Sequence, residues 1–484
     1  MSKFNTTQTM ATKNASGHAA YKMTDKAKLV SQVLTSFFNE KKFYGDNTAD
    51  MIETIKRVVA SDPRFVANLA VFARREFNMR SVSHVLTAYL AHESAGKPYV
   101  RETMQGVCLR GDDATEIMAF YLSTFGKPIP NSLKKGVNDV LVEYDEYTLA
   151  KYKGDSKAVK MRDLLCLCRP SPKTAEQSDL FKRCLEDRLE TPLTWESELS
   201  ANGNNAETWE RLIDSGKVGY MALLRNLRNI ITANPRNIEK VYRRIEDRKA
   251  VAKSKQLPFR FLSAYKSIAG IGGSRAFDAL EAATEAACDN LPRLSGTTVI
   301  AVDSSGSMRD PVSNNSEIRC IEIGMMLGLI ANRLCENAIF YTFDSVVKKQ
   351  PLSRRENILR VAVTSTPSGG TNMSLPFAQM MRDKVKPDRV IIISDNECNQ
   401  GRSYYTQRTI GQMAQEARRF LGVDFYVHAI DLMGYGTCQF SGKRDNILAG
   451  WSEKVLDFIR YAEMGEGNLV NAVERYSWKN ALDD

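Results

Sequence analysis

The chain has 484 residues, of which 43% are hydrophobic and 26% are charged, and its formal net charge is +10. This length suits two or three domains with a buried core. No apolar run reaches the length of a membrane span, and the polar N-terminus MSKFNTTQTMATKNASGHAAY has no signal core, so we expect a cytoplasmic protein without membrane insertion. The nine cysteines contain no Cys-x-x-Cys pair, which argues against a disulfide framework or a zinc site.

The positive charge is concentrated in the first part of the chain. Residues 1–290 contain 44 lysines and arginines against 35 acidic residues, whereas residues 291–484 contain 23 and 22. An excess of basic charge attracts polyanions such as nucleic acids. Solubility alone is the other explanation, and charge by itself only slightly favours nucleic acid.

The first part of the chain is predicted to form a succession of short helices, because its apolar residues recur at every third or fourth position. The segments with this pattern are MIETIKRVVAS, DPRFVANLAVFARREF, RSVSHVLTAYLAHES, ATEIMAFYLSTF, PNSLKKGVNDVLVEY, TWERLIDSG, GYMALLRNLRNIITA and NIEKVYRRIED. Helices of this length joined by short turns are typical of stacked helical pairs. Such a stack forms a curved surface that suits the wrapping of a ligand.

The pattern changes after the connector LPRLSG, residues 291–296. Apolar strands then alternate with helices: the strands are TTVIAVD, AIFYTFD, RVIIISD and VDFYVHAID, and the helices are IRCIEIGMMLGLIANRLCEN, SLPFAQMMRD and YTQRTIGQMAQEARRFLG. This alternation predicts a mostly parallel, doubly wound α/β domain. We therefore predict a flexible tail over residues 1–15, a helical-repeat domain over 16–290 and an α/β domain over 291–484.

Oxygen-bearing side chains follow the first of these strands, in the stretch VIAVDSSGSM. Asp303, Ser305 and Ser307 form an Asp-x-Ser-x-Ser pattern at the carboxyl end of a buried strand, where open α/β sheets bind ligands. Hard oxygen ligands suit Mg²⁺, Mn²⁺ or Ca²⁺. The stretch 303–307, taken alone, is explained equally well as the end of a strand followed by a helix N-cap. Thr371, in a glycine-containing loop, and Asp395, at the end of a second strand, add oxygens that can converge on the same pocket and make a metal site the stronger reading.

The same residues fit catalysis poorly. No base accompanies a serine as in a Ser-His-Asp triad, and an Asp-x-Asp phosphatase would need an acid in place of Ser305. No phosphate-binding loop that ends in Gly-Lys-Ser/Thr is present. We therefore expect binding rather than hydrolysis, and no enzyme activity.

The five oxygen-bearing residues resemble the metal-ion-dependent adhesion site of von Willebrand factor A domains. By that resemblance, Ser305, Ser307 and Thr371 would contact the ion directly, and Asp303 and Asp395 would act mostly through water. Magnesium keeps several of its waters, which suits this division. The resemblance implies a divalent cation, first Mg²⁺, with Mn²⁺ or Ca²⁺ as alternatives.

Three segments of the helical part resemble the TROVE module of Ro autoantigen proteins: LAKYKGDSKAVKMRDLLCLCRP (149–170), GKVGYMALLRNLRNI (216–230) and QLPFRFLSAYK (256–266). The resemblance extends over residues 16–484 and suggests a bacterial or phage member. It implies a ring of HEAT-like helical repeats closed by the A-like domain. The hole of such a ring takes single-stranded 3′ ends of misfolded RNA, and the outer surface binds Y-like noncoding RNA. Bacterial relatives work with exoribonucleases such as polynucleotide phosphorylase.

The resemblance also suggests which cations contact RNA. Lys151 and Lys153 match lysines of the family's outer surface, to which Arg169 also belongs, and Lys157, Lys160 or Arg162 would compensate there for a lost arginine. Arg225 and Arg228 would face the hole, and Arg260 and Lys266 are the remaining candidates. Two positions depart from the family: Asp155 stands where the family has an arginine, and Arg169 replaces a histidine. The alternative for all of these residues is a solvated helix face or a structural ion pair. Between Met221 and Ile230 the apolar residues form a helical stripe that we expect to be core.

Two hypotheses follow from the sequence. The first is an RNA-binding protein that acts in RNA quality control, maturation or decay as part of a ribonucleoprotein. The second is a metal-dependent scaffold that binds an acidic protein ligand through the ion. The basic helical half favours the first.

Overall fold

The computed structural model describes most of the chain. The described residues are 11–13, 19–35, 48–154, 156–190, 194–254, 256, 258–289, 291–312, 316–395, 409–434, 437–442, 444–450, 454–463 and 469–477. Asp155 and most of the predicted N-terminal tail lie outside these residues, although residues 11–13 of that tail form a strand.

The described strands form two sheets. The strands are β1 (Ala11–Lys13), β2 (Ala19–Lys22), β3 (Leu294–Asp303), β4 (Cys335–Phe343), β5 (Val347–Gln350), β6 (Arg389–Ser394), β7 (Tyr426–Asp431), β8 (Thr437–Cys438) and β9 (Asp445–Ala449). The small sheet has the order β1-β2-β8 and the large sheet the order β5-β4-β3-β6-β7-β9. In the large sheet every pairing is parallel except that of the edge strand β5.

The helices before β3 account for most of residues 25–288. They are α1 (Asp25–Thr35), α2 (Thr48–Ser61), α3 (Pro63–Arg75), α4 (Ser81–His92), α5 (Val100–Val107), α6 (Asp113–Phe125), α7 (Asn131–Leu141), α8 (Glu146–Lys151), α9 (Met161–Cys168), α10 (Ala175–Leu185), α11 (Trp195–Asn202), α12 (Ala206–Asp214), α13 (Tyr220–Arg225), α14 (Leu227–Ala233), α15 (Ile238–Glu246), α16 (Arg248–Ser254), α17 (Pro258–Ser267) and α18 (Ser274–Cys288).

The later helices alternate with the strands of the large sheet. They are α19 (Cys320–Leu334), α20 (Ile358–Thr364), α21 (Leu375–Arg382), α22 (Ile410–Leu421), α23 (Lys454–Glu463) and α24 (Leu469–Glu474). The chain passes from β3 to β4 on one side and returns to β6 on the other, so the strand order reverses between β3 and β6. The carboxyl ends of these two strands therefore flank the crevice at which doubly wound sheets bind ligands.

The local sequence explains where the helices begin. Asp62 accepts a hydrogen bond from the backbone N–H of Phe65, and Pro63 occupies the first turn of α3. Thr174 and Asn205 cap α10 and α12 in the same way. The predicted apolar stripe between Met221 and Ile230 is largely buried, as expected.

One predicted helix is divided in two. Residues 220–233 form α13 and α14, which are separated at Asn226. Asn226 is buried, and its side-chain amide donates to the carbonyl of Ala222 at 2.9 Å. Its side chain therefore competes with the helix for a backbone partner, which favours an interruption at this residue.

The chain packs as two compact units. We call Met1–Thr24 with Thr194–Asn468 the α/β unit, and Asp25–Leu193 with Leu469–Asp484 the helical unit. The α/β unit therefore includes helices α11 to α18, although the change from helices to strands occurs at β3. Two acids of α18 bond to the α/β layers. Glu285 forms an ion pair with Arg333 at 2.6 Å, and Glu281 accepts a hydrogen bond from the backbone N–H of Arg360 at 2.9 Å.

The helical unit contains α24, the last of the described helices. Asn68 of α3 donates to the carbonyl of Val473 at 3.0 Å, and Lys26 of α1 pairs with Glu474 at 2.7 Å. The ring of Tyr476 lies edge-on to Phe72 with centroids 5.2 Å apart. Residues 469–477 are thus integral to this unit.

The predicted fold class, a helical region followed by a doubly wound α/β domain, is confirmed. The sequence patterns did not predict the short strands β1, β2, β5, β8 and β9. None of the described helices combines the length and the apolar character that crossing a membrane requires.

Candidate metal centre and basic surfaces

The predicted metal ligands lie at the carboxyl ends of neighbouring strands. Asp303 is the last residue of β3, and Asp395 directly follows β6. Ser305 precedes a short 3-10 helix, Gly306–Arg309, which contains Ser307. Since β3 and β6 are parallel neighbours, both acids emerge at the same edge of the sheet.

Hydrogen bonds hold these side chains together. Asp303 accepts the backbone N–H of Ser305 at 2.8 Å through one oxygen and the hydroxyl of Ser394 at 2.6 Å through the other. The hydroxyls of Ser305 and Ser307 are 3.2 Å apart. Both oxygens of Asp303 already have donors, which suits contact with an ion through water better than direct contact.

The loop that carries Thr371 lies against the turn after β3. The backbone N–H of Gly306 donates to the carbonyl of Gly369 at 2.9 Å, and that of Ser368 donates to the carbonyl of Ser304 at 2.7 Å. A Cβ at Gly306 would lie only 3.1 Å from the Gly369 carbonyl oxygen, so this close approach favours glycine. Thr371 itself is buried. The structure thus brings all five predicted ligands to one edge of the sheet.

Burial controls the electrostatics of this cluster. Burial, followed by the negative charge of Asp395, raises the pKa of Asp303 to about 7, although the bonds from Ser394 and Ser305 oppose the shift. Two carboxylates in a buried crevice repel one another, and a cation between them would relieve that repulsion. The donor set of hydroxyls and carboxylates is that of a hard divalent cation.

Sequence reasoning missed two residues that organise the cluster. Ser394 bonds directly to Asp303, and its only sequence signal is its place immediately before Asp395. Asp344 follows β4, where its side chain accepts the N–H of Val346 at 2.8 Å and its carbonyl accepts the N–H of Asn372 at 3.1 Å. Asp344 thereby anchors the loop next to Thr371. Among the described residues, no group of three or more His, Cys, Asp or Glu side chains is arranged to hold a metal; the candidate centre has only two carboxylates.

The helical unit carries the first set of candidate RNA-binding cations on and around α8 and α9. Arg162 and Arg169 are exposed, and within the described part of the chain no carboxylate lies within 4 Å of either. Lys157 pairs with Glu116 at 2.8 Å, and Lys153 lies 3.7 Å from Asp187. Exposed ion pairs of this kind contribute little to stability, so a polyanion can compete with Glu116 and Asp187 for these lysines.

Lys160 and Lys151, like Lys153, are half-buried. Lys160 precedes α9, where its backbone N–H donates to Asp163 at 2.8 Å. Lys151 ends α8, and its ammonium lies 3.2 Å from the hydroxyl of Tyr147. The six cations of this set are therefore close in the chain and differ in their exposure.

The α/β unit carries the other four cations. Arg225 and Arg228 flank the break between α13 and α14, and both are exposed. Arg260 is half-buried, with its guanidinium 4.9 Å from the centroid of the Phe259 ring. Lys266 pairs with the buried carboxylate of Glu322 at 2.8 Å, an arrangement typical of a structural ion pair. Arg225 and Arg228 are therefore the better placed for RNA.

The fold and the site define a two-part class of protein, in which a helical array is joined to an A-type α/β domain with a hydroxyl and carboxylate cluster at its switch point. Sequence profiles agree: that of the TROVE domain matches residues 7–187 and 186–295, and that of the Ro60 vWA domain matches residues 297–408. The chain belongs to the TROVE family of Ro proteins.

Curated relatives share part of this sequence. Telomerase protein component 1 of Mus musculus is 26% identical over 59% of this chain, and that of Rattus norvegicus is 25% identical over 50%. RNA-binding protein RO60 of Caenorhabditis elegans is 26% identical over 40% of this chain. The matches span only 14%, 12% and 32% of those three proteins' own lengths.

A solved structure shares the fold. The crystal structure of the Ro protein (RSR) of Deinococcus radiodurans superposes with a TM-score of 0.64 and 17% identity. The match covers 92% of this chain and 100% of that one. Nearly the whole chain therefore has the architecture of a Ro protein.

Proposed function

We propose that this protein binds structured noncoding RNA, including Y-like RNA and misfolded RNA with a single-stranded 3′ end, and serves in RNA quality control without catalysing a reaction itself. The observation that carries this proposal is the pair of exposed cations at the two ends of α9, Arg162 and Arg169, which have no carboxylate within 4 Å in the described residues. They lie in a segment that resembles the family's RNA-binding surface. An exoribonuclease is the class of partner that would process the bound ends.

Cations of this kind bind the phosphate backbone and read no base sequence. Binding releases counterions, so the affinity should decrease as salt increases. The preference would then come from the shape of the RNA and from its free end. A role in binding rather than catalysis is supported by the serines of the crevice: in the described part of the chain, the hydroxyls of Ser305 and Ser307 bond to each other and not to a base.

The RNA proposal predicts a preference for a free 3′ tail. We expect a hairpin with a single-stranded 3′ tail to bind more tightly than the same hairpin with a blunt end, and both affinities to decrease with salt. Gel-shift titrations across a salt series measure this difference. Equal affinity for both hairpins at every salt concentration would contradict the selection of 3′ ends.

Two sets of substitutions should separate the two kinds of RNA contact. Replacing Arg225 and Arg228 with glutamine should weaken tail binding, whereas replacing Arg162 and Arg169 should weaken binding of the hairpin stem. Each pair should also make the salt dependence less steep, because fewer counterions are released. The control is the replacement of Arg382 and Arg419, two exposed arginines of the α/β unit, which changes net charge equally. If the control reduces binding as much, only net charge matters.

We also propose that the crevice beside β3 binds one divalent cation, preferably Mg²⁺. Ser305, Ser307 and Thr371 would hold the ion directly, and Asp303 and Asp395 would act through water. The support is the set of hard oxygens, of which all but that of Ser307 belong to buried residues, and the two donors that already bond to Asp303. A bound ion would supply a position at which a carboxylate of a protein partner can bind, so an acidic protein ligand is compatible with RNA binding elsewhere on the chain.

The metal proposal predicts a selective defect in Asp303→Ala. We expect Mg²⁺ or Mn²⁺ affinity to decrease about 10- to 100-fold, the range typical of residues that support metal ligands, while affinity for the tailed hairpin is unchanged. Titration calorimetry measures the metal, and Asp424→Ala, which alters a 69% exposed side chain, is the control. Thermal melting without metal checks that the variant folds. Equal metal affinity in Asp303→Ala and the unmodified protein would refute the site.

A further inference from the structure

Tyr147 is an exposed aromatic residue in the helical unit. The residue is 50% exposed, although Leu149 and Ala150 of the same helix, α8, are buried. A single exposed ring is ordinary on a protein surface. What distinguishes Tyr147 is the Lys151 ammonium, which lies 3.2 Å from its hydroxyl and over its ring. The segment that contains it also supplies the candidate RNA cations Lys151 and Lys153.

Cationic and aromatic groups surround this ring. The Lys151 ammonium lies 5.3 Å from the centroid of the Tyr147 ring and 5.6 Å from that of Tyr152. The guanidinium of Arg110 lies 5.6 Å from the Tyr152 ring as well. The Lys151 ammonium therefore lies near both tyrosine rings, and the Arg110 guanidinium lies near the ring of Tyr152.

The neighbouring ring is held in place by packing. A Cβ at Gly111 would collide with the ring of Tyr152 and with the methyl group of Thr148. Glycine at this position lets the Tyr152 ring lie directly against the backbone of the turn between α5 and α6. Tyr152 and Lys151 are thus positioned before any ligand binds, and Tyr147 is the exposed member of the group.

We propose that Tyr147 is a stacking platform for one unpaired nucleobase of a bound RNA, with Lys151 placed to contact the adjoining phosphate. Every base has an aromatic face that can stack on tyrosine, and a neighbouring cation complements the phosphate. An unpaired base can leave its helix to stack, whereas a paired base cannot. The proposal rests on the RNA binding proposed above and adds to it a preference for a bulge or loop at this surface.

The test uses two hairpins that differ in one unpaired adenosine, which forms a bulge in the first and is deleted from the second. Tyr147→Ala should weaken binding of the bulged hairpin about tenfold and leave the other unchanged, with the same salt slope. Tyr147→Phe keeps the aromatic face and should bind both hairpins as the unmodified protein does. Phe420→Ala removes a 63% exposed ring of the α/β unit and is the matched control.

A fluorescent 2-aminopurine in place of the bulged adenosine reports stacking directly. Its emission should be quenched on binding to the unmodified protein and to Tyr147→Phe, but not to Tyr147→Ala. Equal affinities of Tyr147→Ala and the unmodified protein for the bulged hairpin, or equal losses on both hairpins, would overturn the stacking proposal alone. Failure of the unmodified protein to bind either hairpin would overturn the RNA-binding function as well.

Discussion

Replacing Asp113 with alanine should lower the free energy of unfolding of the helical unit by about 3–5 kcal/mol, because it leaves buried arginine charge without its partner. Asp113 has no solvent exposure. It accepts from Arg80 at 2.6 Å, from Arg74 at 3.1 Å and from the backbone N–H of Arg110 at 2.8 Å. His84 and the N–H of Leu109 complete the cluster.

Chemical denaturation followed by circular dichroism measures the loss, and hydrogen exchange should locate it in α3 to α6. Asp139→Ala is the matched control, since its ion pair with Arg101 at 2.7 Å is exposed and should contribute less than about 1 kcal/mol. Similar losses in the two variants would contradict the buried-charge explanation.

The same cluster predicts acid sensitivity. Although burial raises it, the bond from His84 and the charges of Arg74 and Arg80 hold the pKa of Asp113 well below its usual range. Burial lowers the pKa of His84, despite the opposing effect of Asp113. As pH decreases, His84 and Asp113 therefore take up protons at a higher pH in the unfolded chain than in the folded protein. Stability should decrease below about pH 6.5 through His84 and further below about pH 3.9 through Asp113.

Replacing Glu463 with alanine should lower the free energy of unfolding of the α/β unit by about 3–5 kcal/mol, because it too leaves a buried arginine charge without its partner. Glu463 pairs with the buried Arg389 at 2.6 Å and lies 3.0 Å from Nε2 of His428, which is fully buried. His428 Nδ1 accepts from Asn446 at 3.2 Å, so a neutral ring that donates from Nε2 satisfies both contacts. Without Glu463, the guanidinium of Arg389 loses its only carboxylate partner in the described residues.

Hydrogen exchange should place this second loss in β6, β7 and α23. Burial raises the pKa of Glu463, but the bonds from His428 and Arg389 outweigh it and lower the pKa to about 2. Its contribution should be complete above about pH 4.3 and disappear as pH decreases toward 2. Glu207→Ala, at an exposed position in α12, is the control and should cost less than about 1 kcal/mol. A loss no larger than that of the control would contradict the prediction.

The sequence by itself determined the class of fold and the residues of the candidate metal centre. The helical spacing of apolar residues and the alternation of strands and helices after Gly296 depend on short stretches of chain, so both can be predicted without the folded structure. The strand ends at Asp303 and Asp395 could be predicted equally well, because a buried parallel strand is a continuous apolar run and each run ends at the first acidic residue. Their side chains meet because β3 and β6 are neighbours.

Only the tertiary structure decided which polar residues act together over long separations. Ser394 bonds to Asp303 across 91 positions of sequence, and Lys266 is engaged by Glu322 across 56. Helices α11 to α18 belong to the α/β unit, because residues such as Glu281 and Glu285 bond to elements far along the chain. The short strands β1 and β8 depend on pairing with β2, and three or two residues carry no periodicity of their own. Such contacts are set by packing between distant segments, for which a single sequence holds no local signal.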